Sequence, residues 1–264
     1  MPVPHMQPHS TPIIDQIEDI ARSTPGWSPV DQLYTLFTMA LLTSHLEGDI
    51  LEIGSWCGRS TAAMGLAATL VGHTRIQCVD LFPAKEDWRQ NADGSYSMQV
   101  TVEGSRYGGY ENQTVWAEPF ERDIAPIYAR HSGVLEVFED TIARYGLRHI
   151  VSAFKGTGAG FSLSPAAESF RCRLAYVDGD HSYQAVCDDI LTVDRFLVGG
   201  GWICFDDAFS SYEGVNRAIT ELIIQNPQYE ICQQMTRKCF AARKRFRRTS
   251  PLIAQLAANP KTGQ

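Results

Sequence analysis

The stretch Asp49–Thr61, DILEIGSWCGRST, decides how the rest of the chain is read. A short apolar run (Ile50, Leu51, Ile53) closes on an acid and two glycines, then opens the alanine-rich segment Thr61–Val71. That pattern is a buried strand, a tight turn and a helix start. Such a turn lets backbone N–H groups meet a ligand at a helix N-terminus. Alone it specifies no more than a nucleotide-like ligand, and the acids downstream must narrow it.

Outward from this turn, Ile13–Arg22 and Val30–Leu46 carry helical apolar spacing, and Arg75–Leu81 (RIQCVDL) reads as a second strand with Asp80 at its end. Residues 83–130 break the pattern. They are polar, glycine-rich and aromatic, with Trp88, Tyr96, Tyr107, Tyr110, Trp116, Phe120 and Tyr128. A connection this long inside a compact domain reads as a lid over a substrate, the alternative being an assembly element whose aromatics form their own core.

Alternation then returns. Leu135–Tyr145 is a predicted helix, His149–Phe154 a strand, Gly156–Gly160 a turn and Ser164–Phe170 a short helix. Cys172–Val177, Tyr183–Leu197, Gly201–Phe205 and Gly214–Gln225 read as strand, helix, strand and helix. Tyr229–Met235 and Lys238–Lys244 close the chain as an antiparallel hairpin. The expected fold is α/β, a doubly wound sheet with the ligand along the edge where the strands end. Residues 1–47 form an N-terminal arm and helices, 48–244 the main domain with its insertion, and 245–264 a tail.

The chain has 264 residues, enough for one large domain with a full core. A net charge of −7 argues against a nucleic-acid partner. No apolar run reaches the roughly 18 residues of a membrane span, and the N-terminal sequence lacks signal-peptide features. Seven scattered cysteines, none in a C-x-x-C pair, fit buried thiols in a reducing cytoplasm. The segment Arg237–Arg248 holds seven cations and no acid, leaving −14 for the rest, and reads as a solvated edge strand and tail.

The notable acids fall at predicted strand ends: Glu52, Asp80, Asp178 within VDGDH, and Asp206 and Asp207 within CFDD. An acid ending the second strand can accept both ribose hydroxyls of an adenosine ligand. A dinucleotide turn wants glycine where Trp56 stands, and no phosphate loop is present, so an adenosine ligand without a pyrophosphate fits best. Asp178, Asp180, His181, Asp206 and Asp207 would repel one another as unpaired carboxylates beside one imidazole. A hard divalent cation relieves that conflict, and oxygen ligands without cysteine favour Mg²⁺ over zinc. Asp180 and His181 are then left for proton transfer from a substrate hydroxyl, in either order.

LEIGSWCGRST, VDLF, YVDGDHSY and GGWICFDDA, in that order, resemble a class I S-adenosylmethionine-dependent methyltransferase. Within that class the chain is most similar to small-molecule O-methyltransferases related to macrocin O-methyltransferase and the cephalosporin-hydroxylase-like proteins. The resemblance implies a Rossmann-like seven-stranded sheet with an antiparallel last strand. It also implies that Glu52, Gly54, Ser55, Gly58 and Ser60 surround the methionine part, that Asp80 binds the ribose, and that Gly156 and Thr157 lie near the adenine. Asp178, Asp206 and Asp207 would hold Mg²⁺. The function implied is Mg²⁺-dependent methylation of a hydroxyl on a sugar or natural-product small molecule. A metal-independent N- or C-methyltransferase and a non-catalytic cofactor-binding assembly protein stay open, as does homo-oligomer formation.

Overall fold

The computed structural model describes residues 11–72, 74–109 and 115–246. The proline-rich arm, His5, His9, His73, Tyr110 and the tail from residue 247 lie outside the described residues. Two helices lead in, α1 (Ile13–Ser23) and α2 (Val30–Leu42), followed by β1 (Asp49–Ile53), α3 (Arg59–Val71) and β2 (Ile76–Asp80). The insertion contributes β3 (Trp88–Gln90), β4 (Tyr96–Val102), β5 (Ser105–Gly109), α4 (Ala117–Pro119) and α5 (Ala125–Tyr128). Then come α6 (Val134–Arg144), β6 (Val151–Lys155), α7 (Gly158–Leu163), β7 (Cys172–Val177), α8 (Tyr183–Phe196), β8 (Leu197–Phe205), α9 (Glu213–Ile219), β9 (Tyr229–Gln234) and β10 (Phe240–Lys244).

The seven-stranded sheet has the order β6-β2-β1-β7-β8-β10-β9. The first five of these are parallel, while β10 runs antiparallel to both β8 and β9. The doubly wound sheet predicted from alternation is therefore present, with the last strand reversed. Its central strand β7 is buried at every position, as a strand covered on both faces requires. One core, with α1, α2, α3 and α6, covers one face, and a second, with α7, α8 and α9, covers the other. Six cysteines are buried and Cys232 is exposed, all of them free. Among the described residues no helix is long and apolar enough to cross a membrane.

Three elements differ from expectation. The insertion is not irregular: β3, β4 and β5 form their own antiparallel sheet. Phe120 stacks on Tyr96 with ring centroids 3.7 Å apart, and Trp88 Nε1 donates to the Tyr128 hydroxyl at 2.7 Å. Tyr96, Met98, Val100 and Val102 alternate with polar residues, a strand signal masked by the surrounding glycines. The turn Gly156–Gly160 is partly helical, because Thr157 Oγ1 accepts the Gly160 N–H and caps α7. Finally, the basic strand β10 is interior, between β8 and β9, so β9 is the edge.

The turn after β1 depends on one close approach. Gly54 has φ +89°, and a Cβ there would stand 2.0 Å from the Asp178 carbonyl oxygen. Gly54→Ala is expected to cost well over about 3 kcal/mol or to prevent folding, because backbone would have to move. Gly72→Ala, at φ +69° with open space around it, should cost only about 1–2 kcal/mol. Urea unfolding of the two variants measures the contrast.

Candidate active site

Glu52 sits on β1 with its carboxylate fully buried. It accepts a hydrogen bond from Ser60 Oγ at 2.5 Å and another from Thr61 Oγ1, and Cys78 Sγ on β2 donates at 3.4 Å. Burial pushes its pKa up while these donors pull it back. Glu52 thus ties β1 to the first turn of α3 and to β2, and Ser60 is spent on it. Both are expected beside a ligand, and here each is enclosed by protein, Ser60 at 4% exposure. Ser55 is likewise enclosed, at 2%. The missing side chain of Gly58 leaves room for the Phe138 ring, 3.1 Å from a Cβ built there.

Asp80, at the end of β2, is half-buried. Its Oδ2 accepts the Trp56 N–H at 2.9 Å and its Oδ1 the Phe82 N–H at 2.6 Å. Burial raises its pKa against these backbone donors. Each oxygen keeps a second lone pair, so the carboxylate both braces the two turns and can still accept from a ligand. Gly156 follows β6 and donates its N–H to the Asp80 carbonyl at 2.9 Å, bringing the third strand end against the second. Above the first turn, the α1–α2 loop is held by Arg59, whose Nε donates to the Thr24 carbonyl at 2.7 Å and whose Nη1 donates to the Ser28 carbonyl at 3.1 Å. Trp27 from that loop lies 5.6 Å from Trp56, and its Nε1 donates to Asp123 of the insertion at 3.4 Å. Loop, turn and insertion therefore meet over the same strand ends.

The second cluster lies one strand pair across. Asp178 follows β7, while Asp206 and Asp207 follow β8. Asp206 is buried, and both its oxygens are used: Oδ1 accepts from Gln32 Nε2 at 2.7 Å and Oδ2 from Lys238 Nζ at 2.8 Å. Lys238 also reaches Asp207 Oδ1 at 3.3 Å. Burial alone would lower the Lys238 pKa, but Asp206 and Asp207 hold the ammonium above its ordinary value. Asp178 is held well above the usual carboxylate range by burial and by Asp206, with which it shares a hydrogen bond. Asp207 shows the reverse: burial pushes it up, but His181 and Lys238 keep it below its ordinary value. The repulsion expected among these acids is thus relieved in part by a lysine.

His181 Nε2 lies 3.1 Å from Asp207 Oδ2, and the imidazole stacks on Tyr212 with centroids 4.1 Å apart. Asp178, His181 and Asp207 each offer an atom within 4.8 Å of the others, a set able to hold a metal ion. This set differs from the predicted trio Asp178, Asp206 and Asp207: His181 stands in it, and both Asp206 oxygens already accept from Gln32 and Lys238. Asp180 accepts the Ser182 N–H at 2.7 Å and shapes the entry to α8. Non-glycine residues with left-handed backbone gather here: Trp56 (φ 45°), Phe82 (43°), Asp207 (51°) and Phe209 (54°). Each carries a cost of about 1–3 kcal/mol, and such strain concentrates at functional sites.

Sequence reasoning missed Gln32, Tyr176 and Lys238. Gln32 Nε2 donates to the Tyr176 hydroxyl at 2.6 Å as well as to Asp206, and the Tyr176 hydroxyl donates to Asp178 at 3.2 Å. A signal existed for Gln32, an amide on the buried stripe of α2 with Leu33, Leu36 and Ala40. Lys238 had none, because its basic neighbours masked it.

The sequence model of a family described as "Methyltransferase domain" matches residues 51–208. No curated protein matches the chain. Among solved structures, the O-methyltransferase NovP is 17% identical over 83% of this chain and 81% of its own, with a TM-score of 0.55. The O-methyltransferase from Bacillus cereus, in complex with SAH, is 13% identical over 88% and 90%, with a TM-score of 0.52. TomG from Streptomyces achromogenes, an O-methyltransferase of tomaymycin synthesis in complex with SAM, is 14% identical over 89% and 91%, with a TM-score of 0.51. At these identities the likeness is one of fold. With more than half of the chain inside the family match, this enzyme belongs to the methyltransferase-domain family.

Proposed function

We propose that the chain transfers the methyl group of S-adenosylmethionine to a hydroxyl of a small molecule. The observation that carries this reading is the pairing of two sites on one sheet edge. The turn Gly54–Gly58 with Asp80 stands at the ends of β1 and β2, and the His181–Asp207 pair stands at the ends of β7 and β8. The first site suits an adenosine ligand: Asp80 keeps lone pairs for ribose hydroxyls, and Gly156 and Thr157 close the side where a base would lie. The second suits proton removal. Asp207 fixes the imidazole and stabilises its cation once His181 has taken the hydroxyl proton. Trp27 and the insertion shield the donor from water. A natural-product acceptor is in keeping with TomG's involvement in tomaymycin synthesis.

Asp178, His181 and Asp207 would hold a divalent cation, which when bound would lower the pKa of the accepting hydroxyl. An imidazole in the donor set makes Mn²⁺ or another borderline cation a better match than Mg²⁺. A second reading is favoured by Lys238. Its ammonium already offsets the charge of Asp206 and Asp207, so transfer proceeds without a metal.

Four outcomes are expected. S-adenosylhomocysteine raises the melting temperature and NAD does not, and Asp80→Ala weakens the former's binding by about 10-fold or more, read by calorimetry. Unchanged affinity in that variant removes Asp80 from the donor site. His181→Ala lowers kcat by about 10²–10⁴-fold with S-adenosylhomocysteine affinity retained. In a chelator series with Mg²⁺, Mn²⁺ or Zn²⁺ restored, loss and selective recovery of turnover supports the metal, while full activity throughout supports the lysine reading. Lys238→Met removes the cation beside buried Asp206 and should cost about 3–5 kcal/mol. Adding Asp206→Asn should recover part of that loss in denaturant unfolding.

A further inference from the structure

We propose that Gln32 is a positioning residue for the cation set Asp178, His181 and Asp207, a fork on α2 that holds the set from two directions at once. This deepens the reading of the second cluster above and rests on it. Gln32 is fully buried, and its Nε2 spends both hydrogens: one goes to the Tyr176 hydroxyl at 2.6 Å and one to Asp206 Oδ1 at 2.7 Å. Each bond starts an arm. Along the first, the Tyr176 hydroxyl donates in turn to Asp178 Oδ2 at 3.2 Å. Along the second, Asp206 Oδ2 accepts from Lys238 Nζ at 2.8 Å, and the same ammonium reaches Asp207 Oδ1 at 3.3 Å. Asp207 Oδ2 then lies 3.1 Å from His181 Nε2. The two arms end on the three residues whose donor atoms stand within 4.8 Å of one another.

Packing does not account for an amide at this place. Leu33, Leu36 and Ala40 share its buried stripe on α2, and a methionine at position 32 would fill the same room. The amide instead leaves its buried Oε1 without a hydrogen-bond partner among the described residues. An orphaned buried acceptor lowers stability, and a chain that keeps one has broken a local rule where function has a use for it. That use is the fork itself. A neutral amide nitrogen carries two hydrogens, so it can serve a carboxylate and a hydroxyl together without adding charge to a crowded cluster. Turning the amide over would set Oε1 against the Asp206 carboxylate, so the donating orientation is the one the charges allow. Gln32 and Tyr176 stand behind the set and offer it no ligand atom. Residues in such a place fix the direction of the ligands in front of them, typically worth about 10–100-fold in metal affinity.

The test is calorimetric titration of Mn²⁺ alone into the wild-type protein, Gln32→Met, Tyr176→Phe and the double variant, with thermal melting in parallel. The wild type should bind one ion, and Gln32→Met should weaken it by about 10–100-fold. Tyr176→Phe cuts one arm only and should weaken it less. The double variant should lose less than the product of the two, as members of one network do. A Gln32→Met protein that shifts in melting temperature but keeps the wild-type Mn²⁺ affinity would assign the residue a purely structural role and overturn the proposal. Losses that simply multiply overturn the shared fork. If Gln32→Met does not fold, Tyr176→Phe decides, since it deletes a single hydroxyl: weaker Mn²⁺ binding supports the proposal and unchanged binding overturns it. A wild-type protein that binds S-adenosylhomocysteine but no Mn²⁺ overturns the proposal and leaves the methyl-donor reading intact, whereas binding of neither removes both.

Discussion

Everything at the carboxyl edge of the sheet hangs on the buried carboxylate of Glu52. A charged group withdrawn from water must be met by donors or give up its charge. Glu52 is met by Ser60 and Thr61 from the first turn of α3 and by Cys78 from β2. One side chain therefore fixes how the first strand, the next helix and the second strand stand together. With those three fixed, Gly54 can pass against the Asp178 carbonyl, and Asp80 can reach the backbone of both Trp56 and Phe82. The acid of the opening motif acts by holding the turn in shape.

The second cluster meets the same constraint differently. Three aspartates at two adjacent strand ends would carry prohibitive like charge if all were ionised and unpaired. Lys238, entering just before β10, neutralises part of it, while burial and Asp206 push the Asp178 pKa well up. What is left, an imidazole against Asp207 with Asp178 nearby, is a compact group suited to moving a proton or gripping a cation. Because β10 is an inner strand next to β8, the lysine at its start is delivered to the acids rather than to solvent.

The parallel strands and their helices were legible because each strand is a short apolar run and each helix has a continuous stripe. The run CRLAYV, buried at every position, shows both faces covered without reference to any neighbour. The acids Asp80, Asp178 and Asp206 were placed at strand ends because each directly ends or follows such a run. The insertion was harder. Its strand Tyr96–Val102 alternates cleanly, yet it pairs only with its own neighbours and has glycines around it. The cap on α7 was hidden in a segment whose glycines read as a plain turn.

The sequence alone determined the alternating α/β order, the reversed final strand, and the set of acids along one edge, because periodicity and strand ends are local properties of the chain. Only the tertiary structure decided which of those acids are spent on the protein. Glu52 and Asp206 each accept from protein donors on both oxygens, Asp178 shares a hydrogen bond with Asp206, and Asp207 faces His181. Those outcomes depend on partners 8 to 174 residues away, such as Ser60 for Glu52 and Gln32 for Asp206. Whether a carboxylate is a strut or a reactive group is set by the donors that reach it, and folding alone brings them there.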